Sequence, residues 1–143
     1  MSRIVVDTSA YSAFKRKHLG ALDAVQRASL VALTPVILGE LLAGFRGCGD
    51  RHRAKNEREL DLFLSSPRVR VLPLDDETSE TYAVIHQALR IAGTPIPTND
   101  LWIAASAMQH GLTVLTADGH FRKVAQIRVE LLPPGARGGP SSA

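Results

Sequence analysis

The sequence predicts one α/β domain: a mostly parallel central sheet of about five strands, flanked by helices in a three-layer sandwich. Three observations carry this. Short aliphatic, β-branched runs alternate along the chain with stretches of helical periodicity. Helix start and stop residues recur between them. The 143 residues, 45% of them hydrophobic, suffice for one full core and are too few for two ordinary domains.

The elements follow in order. "IVV" (Ile4 to Val6) is a strand, and "DTSA" offers three good N-cap residues before a short helix over "YSAFKRKHL". "LVAL" (Leu30 to Leu33) is a second strand, after which Thr34-Pro35 supplies a cap followed by proline at the first helical position. The helix beginning there carries Ile37, Leu38, Leu41, Leu42 and Phe45 at helical spacing, and the glycines at 44, 47 and 49 end it. "DRHRAKNERELDLFL" starts almost wholly charged, which predicts a solvated helical face or a mobile arm, anchored further on by Leu60, Phe63 and Leu64. "VRVLPL" (Val69 to Leu74) alternates as a strand does, and "DDETSETYAVIHQALRIAG" reads as a helix with acids in its first turn and Gly93 at its end. Thr98 or Asn99 is expected to cap a helix through His110, stopped by Gly111. "LTVLT" is the next strand and "IRVELL" the last, after a short helical turn. The domain is expected to span 1–133, and the Pro-, Gly- and Ser-rich remainder, 134–143, to be a disordered tail.

Composition excludes several classes. No apolar run approaches the roughly 20 residues of a membrane span. The first apolar run ends at Asp7, before a signal-peptide core would form, and the lone Cys48 can make no internal disulfide, so the expected compartment is the cytoplasm. Lys and Arg total 17 against 14 Asp and Glu, a formal charge of +3, which favours the approach of a polyanion without establishing one as partner. No P-loop or GxGxxG occurs. Ser9 and Ser12 stand near His18 but lack a nucleophile elbow, and the five histidines show no zinc-ligand spacing.

Four acids stand out by position. Asp7 ends the first strand and Asp118 follows the "TVLT" strand, at the carboxyl ends where open α/β sheets place ligands. Taken singly, Asp7 is an ordinary helix cap, Asp118 an Asp-Gly turn, and Asp100 a first-turn acid stabilised by the helix dipole. Glu40 is harder to explain, because its helical neighbours are apolar and a buried charge needs a cation or a basic partner. Taken together, the four converge on one sheet edge, where mutual repulsion would raise their pKa values unless a cation neutralised them. Oxygen-only ligation suits Mg²⁺ or Mn²⁺, and two such ions about 3.5–4 Å apart can drive in-line attack on a phosphate.

"IVVDTSA", "TPVILGELLAGF", "TNDLWIAASAMQHG" and "LTVLTADGHF", in this order and at these distances, resemble the PIN-domain family, and more narrowly the VapC-type ribonuclease toxins of toxin–antitoxin pairs. The likeness runs from about Ile4 to about Leu132. It implies that Asp7, Glu40, Asp100 and Asp118 hold Mg²⁺ or Mn²⁺, the last as ligand to a second ion, and that Ser9 and Thr116 orient a ligand or water. It also implies an endoribonuclease acting on structured RNA such as transfer or ribosomal RNA and leaving a 5′-phosphate, a homodimer, and a cognate antitoxin bound in a groove near the site. Arg46, Arg51, Arg53 and Lys55 are candidate contacts to the RNA backbone, with a merely solvated helix as the competing explanation. The rival functions are a PIN-like module that binds RNA or protein without cutting, which the presence of all four acids opposes, and a phosphoacceptor receiver domain, which would want an acidic pair where "IVVD" has one acid.

Overall fold

The computed structural model describes residues 2–135. The chain runs β1 (Arg3–Val6), α1 (Thr8–Lys15), α2 (Leu19–Arg27), β2 (Leu30–Leu33), α3 (Pro35–Arg46), α4 (Asp50–Leu64), β3 (Val69–Val71), α5 (Asp76–Ala92), α6 (Thr98–His110), β4 (Thr113–Thr116), a 3₁₀ turn (Gly119–Lys123) and β5 (Arg128–Leu131). All five strands pair in parallel, in the order β3-β2-β1-β4-β5. The α/β expectation therefore holds.

That order positions the site. From β1 the chain steps outward to β2 and β3, then returns across the sheet to β4 and steps the other way to β5. The reversal leaves β1 beside β4, and the two connections that leave their carboxyl ends diverge, opening a crevice where such sheets bind ligands. The register pairs Val6 with Leu115, so Asp7 and Thr116 emerge side by side.

β1 (Ile4, Val5, Val6), β2 (Val31, Ala32, Leu33) and β4 (Val114, Leu115) are buried, as central parallel strands covered on both faces must be. Helix α6 packs on β1 and β4 with one side and on α5 with the other. Its buried residues, Leu101, Ile103, Ala104, Ala105, Ser106 and Ala107, therefore encircle it, and the small alanines allow close approach. Each fully buried Leu or Ile contributes about 1.5–3 kcal/mol here. Trp102 packs against Tyr82 of α5, with ring centroids 4.3 Å apart, and Thr81 donates to the Ala105 carbonyl at 3.0 Å.

Three local expectations change. Helix α2 has no counterpart in the sequence reading: Lys17 adopts φ 63°, and His18 then caps the new helix by accepting from Ala21 N. Because Nδ1 is the acceptor, Nε2 carries the proton and donates to the Pro133 carbonyl at 2.7 Å, which ties the chain after β5 back to the fold. β3 stops at Val71 rather than Leu74, since Pro73 has no N–H for the ladder. Neither Thr98 nor Asn99 caps α6: Pro97 occupies that position and both residues lie inside the first turn. The charged stretch forms the continuous helix α4, in which only Leu60 is buried while Phe63 and Leu64 lean on the core. No helix among the described residues is long and apolar enough to cross a membrane. The expected disordered tail, 134–143, lies outside the described residues apart from Pro134 and Gly135.

Candidate active site

Asp7 is the innermost acid, 5% exposed at the end of β1. It caps α1, with Oδ1 accepting from Ala10 N at 2.8 Å and from the Ser9 hydroxyl at 2.7 Å, while Oδ2 accepts from the Thr116 hydroxyl at 2.6 Å. Capping and burial thus coexist in one carboxylate. Burial pushes its pKa upward against the opposing effect of these hydrogen bonds, and the nearby charge of Asp118 adds to the rise.

Each hydroxyl has a single proton. Ser9 and Thr116 both donate theirs to Asp7, so their 3.2 Å approach to each other adds no further bond, and their oxygens accept instead from the backbone N–H groups of Ala117 (2.9 Å) and Asp118 (2.8 Å). They clamp β4's exit onto Asp7. Expected to orient a ligand or water, these hydroxyls here orient the carboxylate of Asp7.

Glu40 lies on α3, half-buried. Its partners are neutral: Thr8 donates to Oε1 at 2.9 Å and Asn99 to Oε2 at 3.3 Å. Among the described residues no Lys or Arg pairs with Asp7, Glu40, Asp100 or Asp118. The basic partner that burial of Glu40 called for is absent from that set, and the described donors to its oxygens are the neutral Thr8 and Asn99.

Asp100 stands in the first turn of α6, its side chain 15% exposed. Its pKa is pushed up to about 6, chiefly by burial, then by the charge of Asp118, with smaller contributions from Asp7 and Glu40; His120 opposes them. The charges of Asp7, Glu40 and Asp118 therefore all reach Asp100. Asp118 caps the 3₁₀ turn through His120 N, and its carboxylate meets the His120 ring Nδ1 at 2.9 Å, with Asp100 Oδ2 3.6 Å from the same nitrogen. Donor atoms of Asp100, Asp118 and His120 all fall within 4.8 Å of one another. The crevice thus offers several oxygen donors, two of its carboxylates hold their protons more tightly than ordinary acids, and its described ion pairs include no Lys or Arg. A divalent cation fits that chemistry.

Sequence reasoning missed Thr8, Asn99 and His120. Thr8 and Asn99 each adjoin a singled-out acid, and a hydroxyl or amide beside a carboxylate is the available signal. His120 follows Asp118 by two residues, but without the 3₁₀ turn nothing directs its ring toward Asp100. The basic candidates are elsewhere. Arg46 is in the last turn of α3, Arg51, Arg53 and Lys55 are on α4, and Arg53 pairs with Glu57 at 3.3 Å. None of the four forms an ion pair with the acids of the crevice among the described residues.

The PIN-domain family model matches residues 4–127. The chain is 34% identical to "Ribonuclease VapC4" of Mycobacterium tuberculosis over 66% of its own length and 71% of that protein's. It is 33% identical to "Ribonuclease VapC5" of the same organism, over 82% of this chain and 84% of the relative. The structure also superposes on VapBC-5 of Mycobacterium tuberculosis, a member of the VapBC family of toxin–antitoxin systems, with a TM-score of 0.71 at 30% identity, covering 92% of this chain and 98% of that one. With its sheet order, its acids at the β1/β4 crevice and these likenesses, the chain belongs to the PIN-domain family, in its VapC branch.

Proposed function

We propose that this chain is a divalent-metal-dependent endoribonuclease, the toxin of a toxin–antitoxin pair, hydrolysing RNA phosphodiester bonds at the β1/β4 crevice. The observation that carries the proposal is the convergence of Asp7, Glu40, Asp100 and Asp118 on one edge, with the Asp100 carboxyl raised to about 6 by burial and by its acidic neighbours. The names of the two ribonuclease relatives support the substrate class.

In this scheme Asp7, Glu40, Asp100 and Asp118 hold Mg²⁺ or Mn²⁺. When bound, the ion supplies Lewis-acid chemistry, offsetting the charge that develops on the phosphate and lowering the cost of using water as nucleophile. The chain's own part is positioning. Ser9, Thr116 and the Ala10 N–H fix both oxygens of Asp7, Thr8 and Asn99 fix those of Glu40, and the packed helix α6 aims Asp100. In the net reaction a water oxygen bonds to phosphorus as the bond to the 3′ oxygen breaks, leaving a 5′-phosphate and a 3′-hydroxyl. Arg46, Arg51, Arg53 and Lys55 are assigned as RNA-backbone contacts on charge alone. The partners belong to the same proposal: a cognate antitoxin, a second copy of the chain as homodimer, and structured RNA such as transfer or ribosomal RNA. So does the domain limit at residue 133.

Cleavage of total RNA by antitoxin-free protein, with Mg²⁺, Mn²⁺ or EDTA, tests this. Cleavage is expected only with metal, and is expected to vanish in Asp7→Asn and Asp100→Asn. Metal-independent cleavage, or full activity in both variants, overturns the mechanism; no cleavage of any RNA in a broad panel by folded protein favours the non-cutting module.

A further inference from the structure

The remaining histidines have local explanations or none that involves the acids. Both ring nitrogens of His18 are bonded within the fold, His86 stacks on Tyr82, His52 is exposed on α4, and His110 buries Nε2 at the end of α6. His120 differs. Its Nδ1 lies 2.9 and 3.1 Å from the two Asp118 oxygens and 3.6 Å from Asp100 Oδ2, while the ring remains 47% exposed.

These separations are those of a ring N–H bonded to Asp118, and they equally suit donors that share an ion. With metal–ligand bonds of about 2.1 Å and octahedral angles, adjacent donors stand about 3 Å apart. The ring sits on a short turn whose own cap is Asp118, so the same backbone feature that places the acid places the nitrogen. Imidazole offers one lone pair when its other nitrogen carries the proton, and the ring's exposure allows Nε2 to carry it against solvent. A nitrogen in an otherwise oxygen-donor set changes which ion is preferred. Mg²⁺ favours oxygen and retains water, whereas first-row transition ions accept imidazole.

We infer that His120 is a metal ligand, acting with Asp100 and Asp118, and that it biases this site toward a nitrogen-accepting ion such as Mn²⁺ over Mg²⁺. This rests on the metal-dependent reading of the crevice, and the experiment separates the two. Metal-free full-length protein is titrated with Mn²⁺ and with Mg²⁺ by calorimetry, and the Mn²⁺-loaded form is examined by pulsed EPR for ¹⁴N coupling. Wild type is compared with His120→Gln and Asp100→Asn, and metal-free circular dichroism and thermal unfolding verify the fold of each. The wild type is expected to show nitrogen coupling that His120→Gln abolishes. The variant's Mn²⁺ affinity is expected to fall about tenfold while its Mg²⁺ affinity changes less than about twofold. Mn²⁺ binding that is lost in Asp100→Asn but shows no nitrogen coupling in the wild type overturns the role of His120 and leaves the metal site standing. Coupling that persists in His120→Gln, or equal loss of both ions, overturns it as well. No Mn²⁺ binding by folded wild type overturns both readings.

Discussion

The β1/β4 crevice and the first half of α4 are both dense in charge, and they differ in how that charge is held. On α4, Asp50, Arg51, His52, Arg53 and Lys55 spread around a helix that buries only Leu60, and Arg53 meets Glu57 across one turn. After Asp50 the run is basic, with acids returning from Glu57 onward; most of these groups face water, and such a pair is worth a few tenths of a kcal/mol. In the crevice the charges share one sign, come from four separated segments and are partly withdrawn from water. Local density of charged residues therefore says little about chemistry. Convergence of like charge, against its own electrostatic cost, says much more.

The sharpest contrast between the two regions is in activity. Asp100→Asn is expected to lower RNA cleavage at least about a hundredfold with the fold intact, since the proposed metal ligand is replaced while the hydrogen-bonding shape survives. Single-turnover cleavage under saturating Mn²⁺ measures it, and a loss below threefold would remove Asp100 from the site. Next comes the clamp. Thr116→Val deletes the hydroxyl shared by Asp7 and the Asp118 N–H, leaving buried polar atoms without that partner. A loss of about 1–3 kcal/mol in stability is expected from urea unfolding, with activity down about tenfold to a hundredfold. An unchanged denaturation midpoint would show that the clamp carries no stability.

A third test uses pH. The raised pKa of Asp100 means that the folded protein binds more protons than the unfolded chain between about pH 4, near the ordinary Asp value, and about pH 6. Stability of the metal-free protein from this group therefore falls as pH rises through that window and is flat above it. The expected size is about 1–3 kcal/mol. Asp100→Asn cannot lose a proton, so at pH 7 in EDTA it should unfold at a higher temperature than wild type, by several degrees. The gap should close at pH 4 and reverse when saturating Mn²⁺ favours the wild type. A variant less stable than wild type at pH 7 without metal would refute the electrostatic account of the crevice. The smallest effect belongs to α4: Arg51→Ala and Lys55→Ala are expected to leave the unfolding free energy within about 0.5 kcal/mol of wild type. If these residues contact the RNA backbone, each substitution also reduces the salt dependence of RNA binding by about one unit of slope. Unchanged slopes would leave α4 as a solvated surface.

Much of this was legible in the chain, because its signals are local. The buried strands of β1, β2 and β4 are short aliphatic runs, Thr34-Pro35 opens α3, and Gly93 and Gly111 end α5 and α6 in the left-handed region that disfavours side chains. What escaped lacked a local signature. Histidine is not a usual N-cap, so α2 was invisible until the left-handed Lys17 turned the chain; Thr98 and Asn99 look like caps, yet Asn99 reaches across to Glu40.

The sequence by itself determined which acids follow strands or open helices, and which short aliphatic runs form the buried strands. Only the tertiary structure decided what those acids do to one another. Sheet order places β1 beside β4, burial raises the pKa of Asp100, and a short turn directs His120 between Asp100 and Asp118. The physical reason is that capping and strand signals act over a few residues, whereas desolvation and repulsion depend on distances between segments that lie far apart along the chain.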